Sequence, residues 1–344
     1  MNQWVEIDDR SAVAVVRRLA RRHGVAIGLP ETRVGELAIV ATEAATNMLR
    51  YAERGRALIE LVRQPGSDVI NMIFTDRGPG ISDIDRMFQD GESSTDSAGL
   101  GLGAIVRLSD TFDIFSSPDT GTTIVCTFGG KSSGADCGVE AVGLRVCHPN
   151  EDTCGDDFQI RQTPRATDVL LCDGLGHGPA AAEAASEVIA AAGAAGGLSS
   201  EPGKLMRQIT ERLVGRRGAV VALMHVAQPQ MELRYAALGN ISTLLIGAKG
   251  IRRLAVRDGR IGGAASHGYE EAVQLEAGDM VILHSDGLKT LREAHFPPGL
   301  LKKSPLLIAG FLLDRAFRGR DDASIVVMRI NRGGDQLPWQ NSPP

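Results

Sequence analysis

Four acidic stretches in the second half of the chain stand at the edges of apolar runs. The run VLLC, residues 169–172, ends on Asp173, followed by the turn GLGHG and an alanine-rich segment. CGDDFQI places Asp156 and Asp157 just before a strand. DMVILHSDGLKT carries Asp286 at the end of an apolar strand, and GRDDASIVVMR sets Asp321 and Asp322 before the last strand. Carboxylates at strand ends repel one another if the fold brings them together, and a divalent metal offsets that repulsion. Each piece alone is also ordinary turn or strand-end chemistry. The pairs 156/157 and 321/322 stay ambiguous at this level.

A second group of polar residues lies in the first half. ATEAATNMLRYAERG reads as a helix whose Leu37, Ala41, Ala44 and Met48 share an apolar face. Glu43 and Asn47 are four apart and so neighbours on another face. A carboxylate and a carboxamide so placed can share a metal-bound phosphate, one as base or water-positioning group and the other as a hard oxygen ligand. The plain alternative is a solvated helix face. Asp76 ends the strand VINMIFT and opens DRGPGI, where a carboxylate can accept from an adenine amino group while Gly78 and Gly80 let the ring approach the backbone. SAGLGLGAIVRLSD puts Gly99, Gly101 and Gly103 before a helix, exposing N–H groups and the helix dipole to an anion. The spacing is not that of a dinucleotide fingerprint. GGKSSG lacks the first glycine of a phosphate-binding loop, because Val125 stands at that position.

These residues need elements to hold them. The patterning predicts a strand over 3–7, a helix over about 11–23 with Ser11 as N-cap, and a helix over about 31–52. Strands RALIELV, VINMIFT, TFDIFS and GTTIVCTF follow, with a short helix ending near Asp110. After the small, polar stretch 129–138 come strands VEAVGLRVC, DFQIRQ and TDVLLCD, helices near 180–192 and 203–214, and a series of further strands. A helix near 305–317 and the strand ASIVVMRI close the pattern, and the Gly/Pro/Asn-rich tail from Asn331 reads as disordered.

Composition narrows the classes. The 344 residues suffice for two domains, 43% are hydrophobic, and 41 glycines with 4% aromatics favour α/β architecture with many tight turns. The net charge of −5 comes without a basic stripe, which argues against nucleic acid as a partner. Five cysteines without CxxC spacing argue for reduced thiols and against a zinc site. Cys154 and Cys172 read as small apolar fillers, and His225 and His284 as buried structural residues. The start of the chain has no signal region and no run approaches a membrane span, so a soluble cytoplasmic protein is expected.

The order ExxxN on a helix, DxGxG after a strand, then GLGLG opening a helix resembles the GHKL ATPase superfamily over residues 1–130, most closely the anti-sigma serine kinases of the RsbT/RsbW/SpoIIAB type. The combination GDDF, DGLGHG, SDGL and DDASIVV resembles the SpoIIE/RsbX branch of the type 2C metal-dependent protein phosphatases over residues 139–331. The resemblance implies an α/β (α+β) chain: a Bergerat-type ATPase sandwich, a linker at 131–138, an αββα-type phosphatase sandwich, and a flexible tail at 332–344. It implies Glu43 as catalytic base, Asn47 as Mg²⁺ ligand, Asp76 at adenine, Gly78 and Gly80 beside the ring, Gly99, Gly101 and Gly103 along the phosphates of ATP, and residues 90–98 as a mobile lid. In the other domain it implies Asp173 bridging two Mn²⁺ or Mg²⁺ ions with the Gly174 carbonyl, Asp156 on one ion and Asp286 and Asp321 on the other; the family pattern selects the first aspartate of each pair. His177 is open between a phosphate contact and loop stabilisation. The implied role is bacterial partner switching, with a STAS-domain phosphoprotein as partner, in or beside a larger stress-sensing complex. Two other readings remain: a phosphatase whose first domain only senses nucleotide, and a module that sequesters a sigma factor or STAS protein.

Overall fold

The computed structural model describes residues 2–63, 68–81, 84, 101–129, 138–263 and 268–331. It falls into two compact units. Among the described residues, one unit takes 3–129 together with 298–311, and the other takes 2, 138–297 and 312–331. Domain limits drawn as continuous stretches of sequence would assign 298–311 to the second unit, but compactness does not follow chain order.

The first unit is one five-stranded antiparallel sheet covered by helices. Strands β1 (Val5–Ile7), β2 (Gly55–Val62), β3 (Val69–Thr75), β4 (Thr111–Ser117) and β5 (Gly121–Phe128) run in the order β1-β2-β3-β5-β4. Helices α1 (Arg10–Ala26), α2 (Glu31–Tyr51) and α3 (Gly101–Leu108) supply the other layer. The apolar stripe of α2, including Leu37, Ala41, Ala44 and Met48, is buried with Ile59, Met72 and Phe74 of the sheet. That burial turns the flank carrying Glu43 and Asn47 away from the core, and both are half-buried. The N-cap of α1 is Asp9 rather than the expected Ser11: Asp9 Oδ1 accepts from the Ala12 N–H at 3.0 Å, and the Ser11 hydroxyl donates to the same oxygen at 2.7 Å. The carboxylate is the stronger acceptor for the unpaired N–H groups of a first turn, and it starts the helix one residue earlier.

The second unit is a sandwich of two five-stranded antiparallel sheets. One contains β7 (Asp156–Gln162), β8 (Ala166–Gly174), β9 (Ala219–Ala227), β10 (Glu232–Leu238) and β13 (Tyr269–Gln274), in the order β13-β10-β9-β8-β7. The other contains β6 (Val139–Val146), β11 (Ser242–Gly247), β12 (Gly250–Arg253), β14 (Met280–His284) and β15 (Ala323–Ile330), in the order β12-β11-β14-β15-β6. Val169 and Leu171 of β8 face the second sheet, in one core with Val281, Leu283, Val326 and Met328. Leu170 and Cys172 alternate to the opposite face, under α4 (Pro179–Ala194) and α5 (Pro202–Arg212). Burial on both faces explains why the strand reads as an unbroken apolar run. Helix α6 (Pro305–Ala316) precedes β15.

Candidate active sites

In the first unit, α2 presents Glu43 and Asn47 one turn apart on the same flank. Asp76, directly after β3, is buried; its Oδ1 accepts from the Gly78 N–H at 2.7 Å and the Thr122 N–H at 3.1 Å, and its own N–H donates to the Thr122 carbonyl at 2.9 Å. These bonds fix the carboxylate between the turn after β3 and the start of β5. They also expose two residues that the sequence reading missed, Gly121 and Thr122. Gly121 has φ +72°, and a Cβ there would stand 2.5 Å from the Asp76 carbonyl oxygen, so only glycine lets the two segments close. The signal was the turn DTGTT, which resembles any hairpin. Gly80, at φ +73°, lies against the Ser117 backbone. Gly101 and Gly103 lie within the first turn of α3 rather than ahead of it, so their N–H groups belong to the helix end that attracts anions. Gly99 and the expected lid at 90–98 lie outside the described residues.

Asp76→Asn is expected to weaken nucleotide binding by roughly 1.5–3 kcal/mol, the scale of a charge-assisted hydrogen bond. The amide oxygen can still accept from Gly78 and Thr122, so the turn should survive. Calorimetry of ATP binding checks this, and unchanged affinity would place Asp76 outside the adenine pocket.

In the second unit the acidic stretches converge. Antiparallel pairing sets Asp156 directly opposite Asp173. Asp156 is buried and its Oδ2 accepts from the Ser324 hydroxyl at 2.6 Å; Ser285 also donates to it. Ser285 and Ser324 join their own segments, with Ser285 N–H to Ser324 O at 3.1 Å and Ser324 N–H to Ser285 Oγ at 3.0 Å. Asp286 reaches solvent and accepts from the Asn240 amide at 2.8 Å. Asp321, half-buried, accepts from the Asp322 N–H at 2.9 Å.

The register separates the first ambiguous pair. Asp157, one residue along β7, turns to the other face and pairs with Arg145, whereas Asp156 joins the carboxylates. Asp322 is buried and accepts from the His148 N–H at 2.8 Å, leaving Asp321 nearer the open side. Ser285, Ser324 and Asn240 escaped the sequence reading. The two serines sit inside the quoted motifs, but Asn240 lies far from any of them in sequence.

Glycines keep the backbone thin. A Cβ on Gly174 would stand 2.1 Å from the Ala181 carbonyl, and one on Gly287 would stand 1.9 Å from the Asp322 carbonyl. Gly176 and Gly178 have φ +91° and +73°. His177 Nδ1 is 2.9 Å from Glu151 Oε1 and its ring stacks on His148 at 4.5 Å, contacts that brace the loop. His225 is buried against Asp168 at 2.8 Å, a structural pairing that Arg161 completes.

The aspartates behave electrostatically as one group. Burial pushes Asp173 up to about 9, and the neighbouring Asp156, Asp286, Asp321 and Asp322 push the same way. Burial lifts Asp156 to about 7 against the serine hydrogen bonds, helped by Asp322 and Asp321. Burial and Asp321 also raise Asp286, opposed by Arg318 and Asn240. The converging side chains of Asp156, Asp173, Asp286 and Asp321 offer only oxygen atoms, which could hold hard divalent cations. Buried carboxylates that lift one another's pKa fit such a charge between them.

The folded pKa values of Asp156 and Asp173 lie above the ordinary 3.8. Their protonated forms therefore favour folding, a contribution that is full below about pH 4 and lost as pH rises through about 7 and 9. In chelator the melting temperature should fall across that window relative to protein saturated with Mn²⁺ or Mg²⁺. Melting curves from pH 4 to 9, with and without cation, check this; a gap that does not widen with pH would separate the cluster from cation binding.

Comparison with known proteins matches both halves. Residues 7–128 match the histidine kinase-like ATPase domain, and residues 163–331 match stage II sporulation protein E (SpoIIE). The serine/threonine-protein kinase RsbT of Bacillus subtilis (strain 168) is 32% identical over 112 residues, covering 33% of this chain and 84% of RsbT. A solved chain from the bacterial stressosome, described as a modular system adapted to control secondary messenger signalling, is 26% identical with a TM-score of 0.50, covering 56% of this chain and 99% of its own. RsbX in complex with magnesium shares the fold at 19% identity and a TM-score of 0.50, covering 56% of this chain and 96% of its own. Among the described residues no helix is long and apolar enough to cross a membrane.

Proposed function

This chain belongs to the family of the RsbT serine/threonine kinase and carries a SpoIIE domain, and from that premise we propose that it both adds and removes phosphate on a serine or threonine of a STAS-domain regulatory protein. The observation that carries the reading is the presence in one chain of two opposed sites, the α2–Asp76 site and the aspartate cluster.

In the kinase half, Glu43 would accept the proton of the attacking hydroxyl, and Asn47 would supply a hard oxygen to the cation that accompanies ATP. Asp76 accepts from the adenine amino group, and the first turn of α3 directs N–H groups at the phosphates. The half-buried setting of Glu43 and Asn47 keeps both within reach of a triphosphate while the core holds their helix.

In the phosphatase half, Asp156, Asp173, Asp286, Asp321 and the Gly174 carbonyl would hold two Mn²⁺ or Mg²⁺ ions. Such ions lower the pKa of a water and offset charge on the phosphoryl group. The chain's own groups set the geometry: Ser285 and Ser324 orient Asp156, and Asn240 orients Asp286. Gly176 and Gly178, both at positive φ, keep the loop thin so that a phosphorylated segment can reach the cluster.

Incubating the full chain with a STAS-domain protein and γ-labelled ATP should label that protein. Removing ATP and adding Mn²⁺ should release the label as inorganic phosphate. Release without prior transfer would leave a phosphatase with a nucleotide-sensing first domain.

A further inference from the structure

Behind the aspartate cluster lies a second group with different chemistry. The segment between β6 and β7, CHPNEDTC, folds back so that Cys147 and Cys154 meet Asp322 of the segment before β15. The two sulfurs and a carboxylate oxygen all lie within 4.8 Å of one another. Cys147 and Asp322 are each 2% exposed, and Cys154 is half-buried. Asp322 Oδ1 accepts from the His148 N–H, but Oδ2 is buried and, among the described residues, has no hydrogen-bond partner. A buried carboxylate oxygen without a partner is costly, and a cation beside it removes the cost.

We propose that Cys147, Cys154 and Asp322 form a binding site for a thiolate-preferring divalent cation of the zinc type, separate from the aspartate cluster. Two thiolates and one carboxylate match the ligands such a cation takes, and a fourth, tetrahedral position is left for water. The two thiol protons would pass to solvent as the cation enters. The all-oxygen cluster selects hard cations and the sulfur pair selects softer ones, which lets one domain hold both kinds. The position also has a mechanical consequence. Cys154 is two residues before Asp156, and Asp322 directly follows Asp321, so the cation would clamp both segments that carry these aspartates. No CxxC spacing announces this group, since the two cysteines are seven residues apart and Asp322 comes from far along the chain.

Cobalt(II) added alone to the full-length, reduced protein is the probe, because cobalt–thiolate bonds absorb by charge transfer and cobalt–carboxylate bonds do not. Wild type should show that absorption, saturating at one equivalent of thiolate-bound metal. Cys147→Ser/Cys154→Ser should lose it, and Asp173→Asn should keep it. Asp322→Asn should bind with lower affinity. Circular dichroism reports whether the double variant is folded; if it is not, Cys154→Ser alone, at the half-buried position, gives the same reading. No thiolate absorption in wild type, or absorption that survives both serine variants, overturns the proposal.

Discussion

Replacing Asp173 with asparagine is expected to abolish most metal-dependent phosphatase activity while leaving ATP binding unchanged. Asp173 is placed opposite Asp156 by strand pairing, and its charge is raised in energy by burial and by four neighbouring aspartates. Asparagine has nearly the same shape but would offer a cation no negative charge. Loss of an outer partner of a metal ligand already costs roughly 10–100-fold, so loss of a group proposed as a ligand itself should exceed that range. A built-in control separates chemistry from folding. Asparagine is neutral at this buried position without taking up a proton, so the cation-free variant should be at least as stable as wild type near neutral pH. Turnover of a phosphoprotein or of a phenyl phosphate in Mn²⁺, with melting curves in chelator, gives both readings. Near-wild-type turnover would mean that the aspartates do not form a two-cation site.

Glu43→Gln is expected to keep ATP affinity while lowering phosphotransfer by a factor on the order of 10²–10⁴, the range for a lost general base. Glutamine keeps the length and hydrogen-bonding reach of the side chain on α2 but cannot take a proton. Asn47→Ala should differ in kind, weakening Mg·ATP binding itself because a hard oxygen ligand is lost. The Ala41, Ala44 and Met48 face is untouched by either change, so the helix should stay packed. Transfer of labelled phosphate to the STAS protein, compared with nucleotide affinity for both variants, checks the distinction. Undiminished transfer by the Glu43→Gln protein would reduce the helix to a nucleotide-binding element. Phosphatase activity on a partner phosphorylated beforehand should persist in both variants.

The two architectures were legible because their elements follow local rules. The spacing of Leu37, Ala41, Ala44 and Met48 marks a helix face wherever it occurs. The run 169–172 shows a strand buried on both sides, and the structure supplies both coverings. Helix boundaries were less secure. Asp9 caps the helix in place of Ser11: its carboxylate accepts from the Ala12 N–H, and the Ser11 hydroxyl donates to the same carboxylate instead of capping. Gly101 and Gly103 likewise lie within a helix rather than before it.

What the sequence determined by itself was which chemistry was available: carboxylates at strand ends, Glu43 and Asn47 on one helix flank, and glycines where backbone must come close. These properties depend on residue type and on periods of two or 3.6 residues, which are local. The tertiary structure decided which groups meet. Strand register placed Asp156 beside Asp173 and turned Asp157 to Arg145, since one step along a strand reverses the face. Contacts across long stretches of chain brought Ser324 to Asp156, Asn240 to Asp286, Gly121 to Asp76, and Asp322 to the two cysteines. No local period encodes such meetings; they exist only once the sheets have paired and packed, because packing sets the distances between residues remote in sequence.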